Sequence, residues 1–460
     1  MPVSPARRIA YQVLRQVEAE GAYASDALYE VLDAPMKSAD AALATEITLG
    51  VLRWRRLLDF LLDRHLKKTV EKLDLPVALV LRIGLYQLRF LEKIPARAAV
   101  NESVELVKLA HKASAAPLVN AVLRKVASEA RSPVEPFLPG SLSLADRLGV
   151  LHSHPTWMVE RWLSSVGEAR TIRTMMANNE RPRLSCVLQN RDFSGDVSSE
   201  LTRAGMRSEP GLLLRNAFAV RGGSPSRTDA FRAGFFSIQD EASQAVPLLL
   251  GVRPGERVLD LCAAPGGKTP PLARAAGSTG LVIAADRHAH RLKAMRAQFK
   301  RLRLTDVHLV ELNAEQPLPF RETFDRILID APCSGTGTLA RHPEIRWRLQ
   351  PKQLAAFHQL QVRLLGNATA NVKPGGQIVY STCSMEPEEN EEVVAKILAS
   401  EPAIRSLGAR TPAERLRRHL SDSSLTESLF TGDGYFRTSP EGQHTDGFFA
   451  ATLERRGSVR

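Results

Sequence analysis

Cys383 closes the stretch Gly375-Gly376-Gln377-Ile378-Val379-Tyr380-Ser381-Thr382-Cys383, an apolar run that reads as a buried strand and runs on towards the acidic Glu386-Pro387-Glu388-Glu389. A free cysteine in such a place can be no more than a small buried hydrophobe. It can also be a nucleophile held at the carboxyl edge of a parallel sheet, where such folds bind their ligands. Three similar runs end on residues with chemical potential. Asp330 ends DRILID and is followed by Cys333; Asp286 ends LVIAAD; Cys262 ends RVLDLC and leads into Ala263-Ala264-Pro265-Gly266-Gly267-Lys268-Thr269. A glycine turn between strand and helix lets backbone N–H groups approach a ligand without a Cβ in the way. A P-loop needs its opening glycine at position 262, which is Cys262, so the turn is not built for a triphosphate. Asp286 stands about twenty residues further on, where α/β folds place an acid against ribose hydroxyls. Asn313, after VHLVEL, offers an amide to an adenine edge. An adenosine-containing cofactor over the first three strands would leave Asp330, Cys333 and Cys383 for a substrate.

These residues need a parallel sheet to bring them to one edge. From about residue 236 the five β-rich runs alternate with helical stretches such as HRLKAMRAQFKRLRL, the pattern of βαβ units covered on both faces. GYFRTSP and DGFFAATLER read as an antiparallel pair closing that sheet. Upstream the pattern differs. Residues 4 to about 130 carry helical stripes throughout, with Ala6, Ile9, Ala10, Val13, Leu14 and Val17 on one face of the first helix. Pro133, Pro136 and Pro139 interrupt the helices and mark a linker. His154-Pro155-Thr156-Trp157 introduces a further helix, and a short mixed segment follows it to about residue 235. The expected organisation is multidomain: all-helical residues 1–140, a small α/β domain over 150–235, and a Rossmann-like domain with a mostly parallel, seven-stranded sheet over 236–456.

The chain has 460 residues, a formal charge of +12 and a pI near 9.8, which suits a polyanionic partner through release of phosphate counterions. Between Arg161 and Arg232 there are twelve arginines, no lysine and seven acidic residues, a net of +5. Arginine favours bidentate phosphate contacts, so this stretch is the stronger nucleic-acid candidate. Arg53, Arg55 and Arg56 flank Trp54 and could face RNA or form a solvated helix face. The four cysteines, 186, 262, 333 and 383, include no C-x-x-C pair, so no metal site is expected and reduced thiols are. No apolar run is long enough to span a bilayer, and MPVSPARRIAYQ lacks a secretory h-region. A cytoplasmic monomer with no membrane partner is expected.

Read together, DLCAAPGGKT, DAPCSGTG, RHPEIRW, KPGGQIVYSTCS and PEEN resemble the RNA cytosine-5 methyltransferases of the NOL/NOP/Sun family, as do SIQDEAS and TDGFFAATL. The N-terminal helices resemble the RNA-binding antitermination factor NusB. The resemblance implies an S-adenosylmethionine-dependent enzyme acting on a cytosine of small-subunit (16S) ribosomal RNA, free or partly assembled. It implies that Cys262, Ala263, Ala264, Pro265, Gly266, Gly267 and Lys268 surround the cofactor with Asp286, Asn313 and Asp330. It also implies that Cys383 is the nucleophile, that Cys333 helps release the product, and that Asp330 and Lys268 border the target base. The family usually has aspartate where this chain has Asn313, and Arg-Val-Asn in the neighbourhood of Val187-Leu188-Gln189-Asn190.

The chemistry explains why two cysteines are useful. Carbon 5 of cytosine is too poor a nucleophile to take a methyl group directly, and thiolate addition at carbon 6 makes it enamine-like. The thiol must ionise, a step a nearby cation such as Lys268 would favour. Two rival classes remain. A P-loop ATPase leaves both cysteines idle and lacks the first glycine; a non-catalytic RNA-binding protein has no use for Cys383, Cys333, Asp330 and Lys268 together.

Overall fold

The structure is a computed structural model that describes residues 3–32, 36–189 and 193–457. The chain divides into two units, Met1–Arg181 with Leu339–Arg348, and Pro182–Thr338 with Leu349–Arg460.

The first unit is helical, with no strand among its described residues. Pro5–Glu20 starts with proline at its first turn and buries Ala6, Ala10, Val13, Leu14 and Val17, the expected face apart from the half-buried Ile9. Leu75–Phe90 is buried nearly all round, so it forms the axis against which Ser38–Asp63, Ala96–Leu109 and Ala116–Ala127 pack. Gly50 permits the closest of these approaches: a Cβ there would lie 2.0 Å from the Tyr86 ring. Truncating a core residue such as Leu79 or Leu85 to alanine should cost about 2–5 kcal/mol.

Two expectations for this unit need correction. The proline-rich segment is not a free linker. Val134 and Leu138 belong to the helical core, and the Arg64 guanidinium stacks 3.6 Å from the Phe137 ring centroid. The Arg53–Arg56 cluster is not an open basic face, because its charges are paired within the protein. Arg53 is buried and donates to the Ala340 carbonyl, Arg55 pairs with Glu18, Arg56 pairs with Asp146, and Trp54 stacks on Phe90. The helix Thr156–Asn179 also lies in this unit, whereas the strands that follow it lie in the second.

The second unit contains two sheets. The smaller is fully antiparallel, built from β1 (Leu184–Leu188), β2 (Arg207–Pro210), β3 (Ala217–Arg221) and β4 (Phe236–Ile238) in the order β2-β3-β1-β4. Cys186 sits at its centre; burial pushes its thiol up to about 12, so it is a core residue.

The larger sheet contains β5 (Arg257–Leu261), β6 (Leu281–Asp286), β7 (Val307–Glu311), β8 (Phe324–Asp330), β9 (Val372–Thr382), β10 (Ile404–Ser406), β11 (Phe436–Arg437) and β12 (Phe449–Arg455). Its order is β10-β12-β9-β8-β5-β6-β7, with β11 paired to β12. Strands β5 to β9 are mutually parallel, while β12 runs antiparallel to β9 and to both short strands. The mostly parallel sheet and its antiparallel closure are as expected; the three-residue β10 is additional. The parallel strands are Val-, Ile- and Leu-rich because both sheet faces are covered, as the two cores flanking β5 and β8 show. From β5 the chain steps outward to β6 and β7, then returns to place β8 on the other side of β5. This reversal opens a crevice at the carboxyl ends of β5 and β8.

Candidate active site

The carboxyl ends of the five parallel strands β5 to β9 lie along that edge of the sheet. After β5 the backbone turns sharply, with Cys262 at φ +58° and Gly266 at φ +94°, then enters the helix Thr269–Ala276. A Cβ on Gly266 would press to 3.1 Å on Met295 and Phe299, and one on Gly267 would meet Gln239 at 3.0 Å. The glycines thus let the loop lie against its own domain. Thr269 Oγ1 donates to Asp260 Oδ2 at 2.7 Å, tying the helix start to β5. Asp260 is fully buried, and that burial pushes its carboxyl up to about 7 against the pull of the Thr269 bond.

Asp286, the last residue of β6, accepts from Ala264 N at 3.2 Å and His288 N at 3.0 Å. It therefore holds the glycine turn from beside it. Asn313 follows the end of β7 by two residues, and its Oδ1 accepts from Glu315 N at 3.1 Å, fixing its own turn. Asp330 ends β8. One oxygen accepts from Lys268 Nζ at 2.6 Å and the other from Ser381 Oγ at 2.9 Å. Lys268 is buried, with its ammonium 5.0 Å from the Phe448 ring centroid. Its ion pair among the described residues is with Asp330, so its charge is committed to the carboxylate and not to a thiol.

The two cysteines come together. Cys333 Sγ lies 3.4 Å from Cys383 Sγ, a thiol–thiol hydrogen bond between the loop after β8 and the end of β9. The bond to Cys383 and burial hold the Cys333 thiol well above its ordinary range, with Glu389 adding to the effect. Cys333 is thus held as the thiol. Cys262 is also pushed up, by burial and then by the Asp286 charge, and it flanks the apolar core. It shapes the loop and is not reactive.

Glu389 has no role that could be read from the sequence alone. It is fully buried and gathers the loops that carry both sulfurs: Oε2 accepts from Ser334 N at 2.8 Å and Gln361 Nε2 at 3.0 Å, and Oε1 accepts from Ser384 Oγ at 2.7 Å and from Ser334 Oγ. Asn390 beside it accepts from Thr382 Oγ1 at 2.5 Å and donates to the Ser384 carbonyl at 2.9 Å. The PEEN segment therefore braces Cys383 from both sides. Its sign in the sequence was an acidic run beginning three residues after a candidate nucleophile. Another motif lies outside the crevice: RHPEIRW falls in Leu339–Arg348, within the first unit. Of the Val187–Asn190 stretch, Asn190 lies outside the described residues, and Gln189 accepts from Arg274 Nη1 at 2.5 Å. Among the described residues no group of three or more His, Cys, Asp and Glu is arranged to hold a metal.

Residues 247–454 match the family model for the 16S rRNA methyltransferase RsmB/F, and residues 4–128 match the NusB family. A curated relative from Synechocystis sp., named "Probable ribosomal RNA small subunit methyltransferase B", is 32% identical over 98% of this chain and 99% of its own. The chain belongs to this ribosomal RNA small subunit methyltransferase family. A further relative, the ribosomal RNA small subunit methyltransferase B of Pseudomonas putida, is 34% identical over 92% of both chains. The crystal structure of PH0851 shares the fold with a TM-score of 0.81, at 24% identity and covering 98% of this chain and 99% of that one. Such methyltransferases depend on S-adenosylmethionine, and the residues present fit it in kind: a glycine turn between strand and helix, and an acid at the next strand end.

Proposed function

We propose that the chain methylates carbon 5 of a cytosine in small-subunit (16S) ribosomal RNA through a covalent bond between Cys383 and carbon 6. The observation that carries this reading is the pair of sulfurs 3.4 Å apart, beside the Lys268–Asp330 pair at the same sheet edge. Residues Cys262 to Lys268, Asp286, Asn313 and Asp330 would hold S-adenosylmethionine, which supplies an electrophilic methyl group. Cys383 gives up its proton to solvent water, with Cys333 donating to the resulting thiolate. The thiolate adds to carbon 6, and the displaced π electrons make carbon 5 the nucleophile. Asp330, held by Lys268 and Ser381, hydrogen-bonds the pyrimidine edge and supports protonation at ring nitrogen. Cys333 then loses its own proton to solvent water, and after methylation its thiolate takes the proton from carbon 5 while the carbon 6–sulfur bond breaks and its electrons return to Cys383. The bond to Cys383 is the largest cause of Cys333's raised pKa. Adduct formation removes that bond, which eases loss of the Cys333 proton, while burial and the Glu389 charge continue to favour the thiol.

Residues 1–140 are assigned to RNA binding, 150–235 to further RNA contacts and 236–456 to catalysis, in a cytoplasmic monomer acting on free or partly assembled RNA. No helix of the described residues is long and apolar enough to cross a membrane. Incubation of the protein with S-adenosylmethionine and small-subunit RNA, followed by nucleoside mass spectrometry, tests the reaction. The expected product is 5-methylcytidine. A methyl group on an exocyclic amine or a ribose would overturn the proposal.

A further inference from the structure

The second unit contains a cavity of about 440 Å³ separate from the cysteine pair, within the usual size range of ligand pockets. Its walls come from the smaller sheet and from the two helices Glu241–Leu249 and Thr269–Ala276, and it shares Gly267 with the cofactor turn. Apolar surface from Pro247, Leu248, Val252, Pro270 and Pro271 lines it. Arg215, Arg274 and Arg418 also line it, and none of its lining residues is acidic.

The arginines have no carboxylate partner among the described residues. Arg215 donates to the Leu420 carbonyl at 2.5 Å, Arg274 donates to Gln189, and Arg418 is exposed. A second, independent feature lies deeper. Gln244 is 5% exposed, and its Nε2 donates to the Gln239 carbonyl at 2.7 Å, but its Oε1 has no partner. An amide oxygen buried without a donor is costly unless a ligand or water satisfies it. The cavity thus combines an anion-seeking rim, apolar walls and one buried acceptor.

We infer that this cavity takes one nucleotide of the substrate RNA strand other than the target cytosine, its phosphate at the arginines and its base against the prolines, with a base N–H donating to Gln244 Oε1. The inference rests on the RNA-methyltransferase reading. Single-stranded RNA is recognised through splayed bases stacked in pockets and hydrogen-bonded at their edges, with arginines on the backbone. A nucleotide seated beside Gly267 would anchor the strand next to the loop that carries Lys268.

The test uses the full-length protein with Arg418→Ala, Arg274→Ala and Gln244→Met, scored by fluorescence anisotropy with small-subunit RNA across a salt series. Each arginine variant should weaken RNA binding about threefold to tenfold and reduce the salt slope by about one. Gln244→Met should weaken binding without changing the slope. S-adenosylmethionine affinity by calorimetry should stay unchanged, which also reports an intact fold; Arg418, being exposed, keeps the test sound if Gln244→Met does not fold. Free cytidine and adenosine monophosphates form the second arm. Unchanged RNA affinity in the arginine variants would overturn the inference. So would tight mononucleotide binding, lost in the variants while RNA affinity holds, since that marks a small-molecule site. The readout is binding, so a methyl group found on another atom would defeat the reaction proposed above and leave this assignment standing.

Discussion

Position alone favours reading Cys383 as a small buried hydrophobe, and it is the family resemblance that implies a nucleophile. The chain could show that both cysteines end apolar strands; it could not show that their sulfurs are 3.4 Å apart, because that depends on β8 and β9 being neighbours. Lys268 shows the opposite case. Sequence proximity to the cofactor turn suggested a thiol-activating cation, and the structure spends it on Asp330. Lys268→Met should therefore act through the carboxylate, lowering kcat by about tenfold to a hundredfold. Asp286 holds the turn through Ala264 N and His288 N, so Asp286→Ala should weaken S-adenosylmethionine binding about tenfold or more by calorimetry while the circular dichroism spectrum is retained. Unchanged affinity would remove Asp286 from the cofactor site.

The strands of the larger sheet were legible because buried parallel strands are continuous apolar runs, and β5 to β9 each had one. β10 was not, since three residues at an edge carry no pattern. The brace formed by Glu389 was also out of reach: a buried carboxylate and a solvated one look alike in an acidic run. Glu389→Ala would leave Ser334 N, Ser384 Oγ and Gln361 without their acceptor, at a cost of about 3 kcal/mol in urea unfolding. It should also lower kcat, because both cysteine loops lose their common anchor. Asp260 gives a pH signature. Its folded pKa of about 7 exceeds the usual carboxylate value, so its contribution to stability is complete at low pH and is lost as pH rises from about 4 through 7. Asp260→Asn keeps the Thr269 contact and should remove that slope, making the variant relatively more stable above pH 7 by up to about 4 kcal/mol. Equal slopes in the two proteins would show that Asp260 does not titrate in this range.

For the whole molecule, the helical and α/β halves were apparent from the change in periodicity near residue 236, whereas the return of the chain to the first unit was not. RHPEIRW reads like any loop between strand and helix, yet Arg346 is fully buried among helices, donating to the carbonyls of Arg53, Ser153, Asn178 and Leu339 and to Asn179 Oδ1. Burial pushes its guanidinium down to about 9, aided by Arg53. Arg346→Met should destabilise the protein by about 3 kcal/mol or more in urea unfolding, since several buried carbonyls lose their donor together. Excision of residues 1–140 would take the Arg53 carbonyl from Arg346 and expose the helical core that packs around it. The central claim, covalent catalysis with divided roles for the two cysteines, is therefore best tested on the full-length chain. Cys333→Ala, incubated with S-adenosylmethionine and small-subunit RNA and run on a denaturing gel, should accumulate a slow-moving protein–RNA adduct, while Cys383→Ala forms none and transfers no methyl group. An adduct in Cys383→Ala and none in Cys333→Ala would contradict the account and make Cys333 the nucleophile.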